Sequence, residues 1–392
     1  MIPLLAAVAL TALSPSDGSF DVSAPSAVIM EAQTGKVLWS KGASTPRFPA
    51  STTKIMTALL LLEHCRSEEL IKADASCESV DGASLHLKAG ETITAANMLR
   101  AILLRSANDA CEMVAKHISG SVPSFAKLMN ERAKAIGCTA TTFENPHGLN
   151  CQSHLTTAHD LALIAREAMK DPDFRSVVKN RKVAIDRSLN KEDLLMVSKN
   201  KFLLADKTAD GIKTGYTKDA GHCFVGSATR NGYRVITVVL KSADWLADTE
   251  SMVNWAFENH IRQVVAKAGA LSYEAPVAHG YPESVRCAVK DNVIDVSRKS
   301  GTQSPIVDEL LDDGLEAPLK KGDRVGYVSY TDRDGYTQRI PLVATADVER
   351  RATVQGIVGT PTLIVAGLAG WGAVRVSKRS KRRTLKVVRS RR

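Results

Sequence analysis

The 392-residue sequence has no CxxC pair among its seven cysteines (Cys65, Cys77, Cys111, Cys138, Cys151, Cys223 and Cys287). Dispersed single cysteines of this kind are usually small buried hydrophobes, so neither a disulfide framework nor a zinc ribbon is expected. The odd count leaves at least one thiol unpaired. Histidine spacing is equally unhelpful to a metal: there is no HxxxH or HExxH, and His154 and His159 are off a shared helical face. The body of the chain also lacks net charge. Residues 375–392 hold ten Lys or Arg and no acid, which leaves 42 basic residues against 42 acidic ones elsewhere. A neutral body argues against a basic groove built for nucleic acid, and no nucleic-acid partner is expected. Disordered and collagen-like classes are excluded by ordinary globular values, 44% hydrophobic and 24% charged. No internal repeat is present.

Both ends carry apolar segments. Residues 1–16 (MIPLLAAVALTALSPS) are uncharged and fit the apolar region of an export signal, too short to span a bilayer, although no Lys or Arg precedes it. Residues 352–374 are uncharged for 23 positions, long enough to cross a core of about 30 Å. Small residues suit a membrane helix, Trp371 sits near one end, and the basic tail follows at once, as a cytoplasmic flank would. The length allows two or three domains. The expected layout is a signal segment over 1–19, a main domain over 20–262, a small β domain over 263–350, a transmembrane anchor over 352–374 and a cytoplasmic tail over 375–392.

Between the ends the pattern is mixed. Ala27–Met30 and Lys36–Trp39 read as strands around a Gln33-Thr34-Gly35 turn. Ile55–Leu62, Asn97–Leu104 and Asp109–Ile118 read as helices. Cys223–Thr229 and Arg234–Leu240 are β-branched runs around Asn231-Gly232, a strong hairpin signal. Helix returns at Ser251–Asn259. The expected fold class is α+β, an antiparallel sheet flanked by helices. Short strand-like runs then follow (Val285–Val289, Asn292–Val296, Arg324–Tyr330, Gln338–Val343), with no evident chemistry.

Three short motifs carry the chemistry. Ser51-Thr52-Thr53-Lys54 is an SxxK opening an apolar helix, which puts both side chains on one face. A serine needs a base within about 3 Å, and a lysine serves only when neutral. Moving its pKa from about 10.4 to near 7 or 8 costs roughly 3–5 kcal/mol, supplied by desolvation and a second cation. Ser106-Ala107-Asn108 lies between helical runs, where a hydroxyl can relay a proton and an amide can grip a substrate amide; the plainer reading is a helix break with an N-cap. Lys213-Thr214-Gly215 offers a cation and a hydroxyl to an anionic group, and its glycine permits close backbone approach. Alone, it also reads as a solvated lysine on a strand edge.

In the order SxxK, SxN, KTG these motifs resemble the penicillin-interacting serine enzymes. The wider contexts, Pro49-Ala50-Ser51-Thr52-Thr53-Lys54-Ile55-Met56, Ser106-Ala107-Asn108-Asp109-Ala110, Asn145-Pro146-His147-Gly148-Leu149 and Asp210-Gly211-Ile212-Lys213-Thr214-Gly215-Tyr216-Thr217, are similar to those of low-molecular-mass D-alanyl-D-alanine carboxypeptidases. The resemblance implies a β-lactamase/DD-peptidase-like fold and a substrate that is a peptidoglycan stem peptide ending in D-Ala-D-Ala. Ser51 would be the nucleophile, Lys54 its base and Ser106 the proton relay. Asn108 would hold the acyl-side amide, Lys213 and Thr214 would meet the terminal carboxylate, and Gly215 would let the substrate backbone approach the strand. The backbone amides of Ser51 and Tyr216 would form the oxyanion hole. β-Lactams would acylate Ser51, no metal or organic cofactor is needed, and the site would face outward from the cytoplasmic membrane.

Two departures stand out. The stretch Ser242–Asp248 has no arginine of the kind that helps hold the substrate carboxylate, and offers Asp244 and Asp248 instead. Tyr216 stands where some members have His, a position whose role uses the backbone. The rival readings are a serine β-lactamase, for which no ExxLN-type segment separates SxN from KTG, and a D,D-endopeptidase. From another class come an inactive membrane-tethered wall-binding protein, and a nucleic-acid arm in the basic tail, which topology and anionic lipid explain better.

Overall fold

The computed structural model describes residues 20–270, 272–301 and 304–351. The export-type segment, the apolar stretch 352–374 and the basic tail lie outside them. The chain divides into two units, Met1–Asn259 and His260–Arg392.

The first unit is built on a five-stranded antiparallel sheet. In chain order its strands are β1 (Ser26–Glu31), β2 (Val37–Lys41), β3 (Leu70–Lys72), β4 (Thr92–Thr94), β5 (Lys182–Ala184), β6 (Leu195–Val197), β7 (Ala209–Thr217), β8 (Gly221–Arg230) and β9 (Tyr233–Ser242). The main sheet runs β2-β1-β9-β8-β7, while β3-β4 and β5-β6 are separate ribbons. The β8–β9 hairpin turns at Asn231 and Gly232, both with left-handed φ (51° and 74°), which is why that dipeptide marks it in the sequence. β1 and most of β8 and β9 are buried without alternation, so both sheet faces are covered.

The cover comes from α1 (Lys54–His64), α2 (Ala95–Arg100), α3 (Asn108–Ser119), α4 (Val122–Ile136), α5 (Ala158–Ala168), α6 (Pro172–Lys179), α7 (Phe202–Ala205) and α8 (Trp245–Asn259). α5 packs on β1 and β9, and α8 on β8 and β9. α1 is a core helix, buried from Lys54 to Leu61, because its KIMTALLLL run has no polar side. Ser121, Thr157 and Asp171 cap α4, α5 and α6 through their side chains.

Two sequence expectations change. The run Asn97–Leu104 is not one helix: α2 gives way to a π-helical turn, Ala101–Arg105, that ends at a left-handed Ser106 (φ 68°). Lys213-Thr214-Gly215 does not merely lead into the hairpin but occupies β7, the edge strand of the sheet.

The second unit is all-β. Its five-stranded sheet has the order Tyr273–Pro276, Ser284–Val289, Thr337–Ala344, Arg324–Thr331 and Ile306–Leu311, with a ribbon of His260–Ala266 and Val293–Arg298. Val285, Cys287, Val325, Val328, Tyr330 and Leu342 form its core. Among the described residues, no helix is long and apolar enough to cross a membrane.

Candidate active site

Ser51 lies in a 3₁₀ turn, Ala50–Thr53, whose end runs straight into α1. Ala50 is held at φ 49°, and Gly148 packs so closely on its carbonyl that a Cβ there would lie 1.8 Å from the Ala50 oxygen. Gly148 ends a tight Asx turn in which Asn145 Oδ1 accepts the amides of His147 (3.2 Å) and Gly148 (2.7 Å). Thr57 Oγ1 donates to the Pro146 carbonyl at 2.5 Å and ties this turn to α1.

Lys54 is completely buried, and its Nζ meets three oxygens: Ser51 Oγ at 2.9 Å, Asn108 Oδ1 at 2.7 Å and the His147 carbonyl at 2.7 Å. Asn108 has no freedom to turn over, because its Nδ2 donates to the Asp81 carbonyl at 2.6 Å. Asn108 Oδ1 and the His147 carbonyl can only accept. A neutral amine therefore spends both N–H groups on them and turns its lone pair to the Ser51 hydroxyl. Burial pushes the Lys54 amine down to about 8, and the positive charge of exposed Lys199 acts in the same direction.

Ser106 and Asn108 converge as their spacing requires. Neither caps α3, whose N-cap is Ala107 with no side-chain bond, so both side chains are free for the site. The Ser106 hydroxyl accepts from Lys213 Nζ at 3.0 Å, and the same amine donates to the Thr214 carbonyl at 2.9 Å. Lys213 is buried, not a solvated edge lysine; burial first, then the charge of Lys54, hold it well below the usual lysine range. Repulsion of this kind is reciprocal, so the pair favours one positive charge over two. Gly215 lies against the turn that carries Ser51, and a Cβ on it would meet the Ser51 nitrogen at 3.0 Å. Thr214 is half-buried beside it, and Tyr216 is 62% exposed with its ring 4.7 Å from that of His222.

Several supporting residues escaped the sequence reading. The His147 carbonyl is a backbone atom, signalled only by the turn-forming run Asn145-Pro146-His147-Gly148. His154 Nδ1 accepts the Glu144 amide at 3.0 Å, so its proton sits on Nε2, 2.9 Å from Thr53 Oγ1; burial pushes it down to about 4, hence neutral. The loop over Asn108 is fastened by Asp109, whose carboxylate accepts from Leu85 N, Leu87 N and Ser84 Oγ. It is fastened again by the wholly buried Arg187–Glu91 pair (2.7 Å), with Arg187 also donating to the Leu85 carbonyl. The two acids where an arginine was missing do structural work instead. Asp248 accepts from Ser23 N, Ala24 N and Ser242 Oγ, and Asp244 Oδ1 accepts the Ala247 amide. All seven cysteines are free thiols.

With this geometry in place, comparison with known proteins gives a consistent answer. The sequence profile described as D-alanyl-D-alanine carboxypeptidase matches residues 11–244, and that of the penicillin-binding protein 5 C-terminal domain matches residues 262–350. The D-alanyl-D-alanine carboxypeptidase DacA of Haemophilus influenzae is 30% identical over 345 residues, 82% of this chain and 86% of that one. The D-alanyl-D-alanine carboxypeptidase DacF of Bacillus subtilis is 29% identical over 338 residues, 83% of this chain and 86% of its own. Among solved structures, penicillin binding protein 5 from Haemophilus influenzae superposes with a TM-score of 0.69 at 25% identity, covering 85% of this chain and all of that one.

Proposed function

The chain belongs to the D-alanyl-D-alanine carboxypeptidase family of serine peptidases, and on that premise we propose how its own side chains divide the reaction. The activity is removal of the last D-alanine from peptidoglycan stem peptides, and the fold is that of the penicillin-binding serine peptidases. The observation that carries the assignment is the Lys54 amine, buried, lowered to about 8, and bound to two obligate acceptors with Ser51 as its third partner.

In this reading the substrate lies along β7 with its terminal carboxylate at Lys213 and Thr214, and Gly215 lets its backbone come close. The carboxylate stabilises the charged form of Lys213, and that charge in turn favours a neutral Lys54. Lys54 takes the Ser51 proton as Ser51 Oγ bonds to the carbonyl carbon of the penultimate D-alanine. The backbone amides of Ser51 and Tyr216 hold the oxyanion, a contribution of about 3–4 kcal/mol per donor in such sites. The C–N bond breaks, Ser106 passes the proton to the departing amine, and Asn108 steadies the acyl-side amide. Water then cleaves the ester and regenerates Ser51. A β-lactam would stop at the ester.

The same reading extends to the cell. Residues 1–19 serve as an export signal, 20–262 as the catalytic domain, 263–350 as the β domain, 352–374 as a membrane span and 375–392 as a cytoplasmic tail. The support is the apolar, uncharged character of both segments and the confinement of ten basic residues to the far side of the second. The site then faces away from the cytoplasm, where peptidoglycan is met.

The decisive experiment incubates the full-length chain with a labelled penicillin and, separately, with a muropeptide bearing a pentapeptide. A lasting adduct on the Ser51 peptide together with free D-alanine supports the assignment. Rapid penicillin turnover with no adduct marks a β-lactamase, and cleavage only of cross-linked dimers marks an endopeptidase. Labelling or D-alanine release that survives in Ser51→Ala overturns the nucleophile.

A further inference from the structure

α1 and α3 both begin at the catalytic site, with Lys54 and Asn108, and they pack on one another. Their far ends bring together three side chains that the reaction does not use. Cys65 Sγ, a Glu69 carboxylate oxygen and a His117 ring nitrogen all lie within 4.8 Å of one another. Each is placed by an independent piece of backbone. The Cys65 amide donates to Leu61 O and closes α1; the Glu69 amide donates to Arg66 O in a tight turn; His117 stands in the last turn of α3, ahead of the left-handed Gly120. His117 Nε2 and Glu69 Oε1 are already 2.7 Å apart.

One thiol sulfur, one carboxylate oxygen and one imidazole nitrogen make a mixed donor set of the kind zinc takes, with a fourth position left for water. A tetrahedral ion with bonds of about 2.0–2.3 Å needs its donors roughly 3.3–3.8 Å apart. The histidine–carboxylate contact must open slightly from 2.7 Å, which the exposed His117 side chain permits by rotation. Charge also matches, since a thiolate and a carboxylate together offset a divalent cation. A thiol ligates as its thiolate, so a proton must leave as metal enters. The positions 65, 69 and 117 follow no metal-binding spacing, which is why the sequence does not disclose them.

We propose that Cys65, Glu69 and His117 bind one zinc-type divalent ion that clasps the far ends of the two helices carrying Lys54 and Asn108. The eleven residues of α1 separate this ion from the nucleophile by about 16 Å. It takes no part in acylation; it joins the end of α1, the following turn and the end of α3, and it adds stability to the folded chain by mass action.

The test uses the full-length chain, untagged and fully reduced, titrated with Co²⁺ as a spectroscopic substitute and with Zn²⁺ against a chromophoric chelator. The expected result is one equivalent of either ion, a thiolate-to-cobalt charge-transfer band, the visible bands of a four-coordinate ion, and a higher melting temperature with Zn²⁺. Cys65→Ser should abolish the charge-transfer band, and His117→Gln and Glu69→Gln should each weaken Zn²⁺ binding tenfold or more, with penicillin acylation within twofold of the parent in all three. Absence of the band in the parent chain overturns the proposal without recourse to any variant. A band that persists in Cys65→Ser also overturns it, because the sulfur would then belong to another cysteine.

Discussion

Gly215 of β7 leaves only 3.0 Å between the place where its side chain would begin and the Ser51 nitrogen, and 3.1 Å to Pro49 O. Those neighbours are backbone atoms of the turn that runs into α1, so an added methyl must displace either the strand or the Ser51 amide. Gly215→Ala should therefore lower penicillin acylation by about 10²–10³, the usual effect of losing one oxyanion donor. Stopped-flow acylation checks this. A variant that folds and acylates within tenfold of the parent would show that the Ser51 amide is not engaged.

The lysine pair makes a prediction with a definite sign. As the proposed base, Lys54 acts only when deprotonated, so acylation should rise about tenfold per pH unit below about 8 and level off above it. Because the Lys213 charge disfavours a charge on Lys54, Lys213→Met should move the rising limb to higher pH, towards the ordinary lysine value of about 10.4. It should also slow acylation throughout, since the carboxylate loses its cation. A rising limb that stays in place or moves down would mean that the two amines do not act on one another. Lys54→Ala should remove the limb and cost several orders of magnitude.

Arg187 and Glu91 are each fully buried, and Arg187 also holds the carbonyl of Leu85. Replacing one partner strands the other charge away from water, which costs about 3–5 kcal/mol. Arg187→Met should thus lower the denaturation midpoint markedly and loosen the loop that Asn108 leans on, raising hydrogen exchange at Leu85 and Leu87. The paired change Arg187→Met with Glu91→Leu should recover much of the stability. Failure of the double variant to improve on the single would place the cost in packing instead of charge.

Truncation after Arg351 tests topology. The shortened chain should be released from membranes and remain fully acylated by penicillin, since every proposed catalytic residue precedes Thr217. In intact spheroplasts carrying a tag after Arg392, external protease should digest the catalytic domain and spare the tag. Loss of the tag as well would mean that residues 352–374 do not cross the bilayer.

The parts of this molecule that could be read ahead of its structure are those in which chemistry is carried by side chains at short spacing. Ser51 and Lys54 are three residues apart on one turn, and Asn231-Gly232 is a turn with a conformational requirement that few other residues meet. What stayed hidden is carried by backbone or by distance. The His147 carbonyl that fixes Lys54 has no residue-type signature, and the Arg187–Glu91 pair joins positions 96 residues apart. Burial of Lys213 is likewise a tertiary fact: Lys-Thr-Gly in sequence looks like the polar edge it would be without Ser106 against it. Helices α4 to α6, capped at Ser121, Thr157 and Asp171, were not assigned from the sequence.

β1 pairs locally with β2 but joins the rest of the main sheet through β9, where Ser26 faces Leu240 and Glu31 faces Val235. A strand made at the start of synthesis therefore waits for one made some two hundred residues later. Until that pairing closes, the β1–β2 pair that leads into Ser51 is not joined to the β7–β8 pair that carries Lys213, and the emerging polypeptide is expected neither to cut a peptide nor to trap an antibiotic. Timing should thus do for this enzyme what a removable pro-segment does for others: the hydrolase is expected to become chemically competent only once β9 has emerged, and covalent capture of penicillin by chains of graded length would mark the moment at which it does.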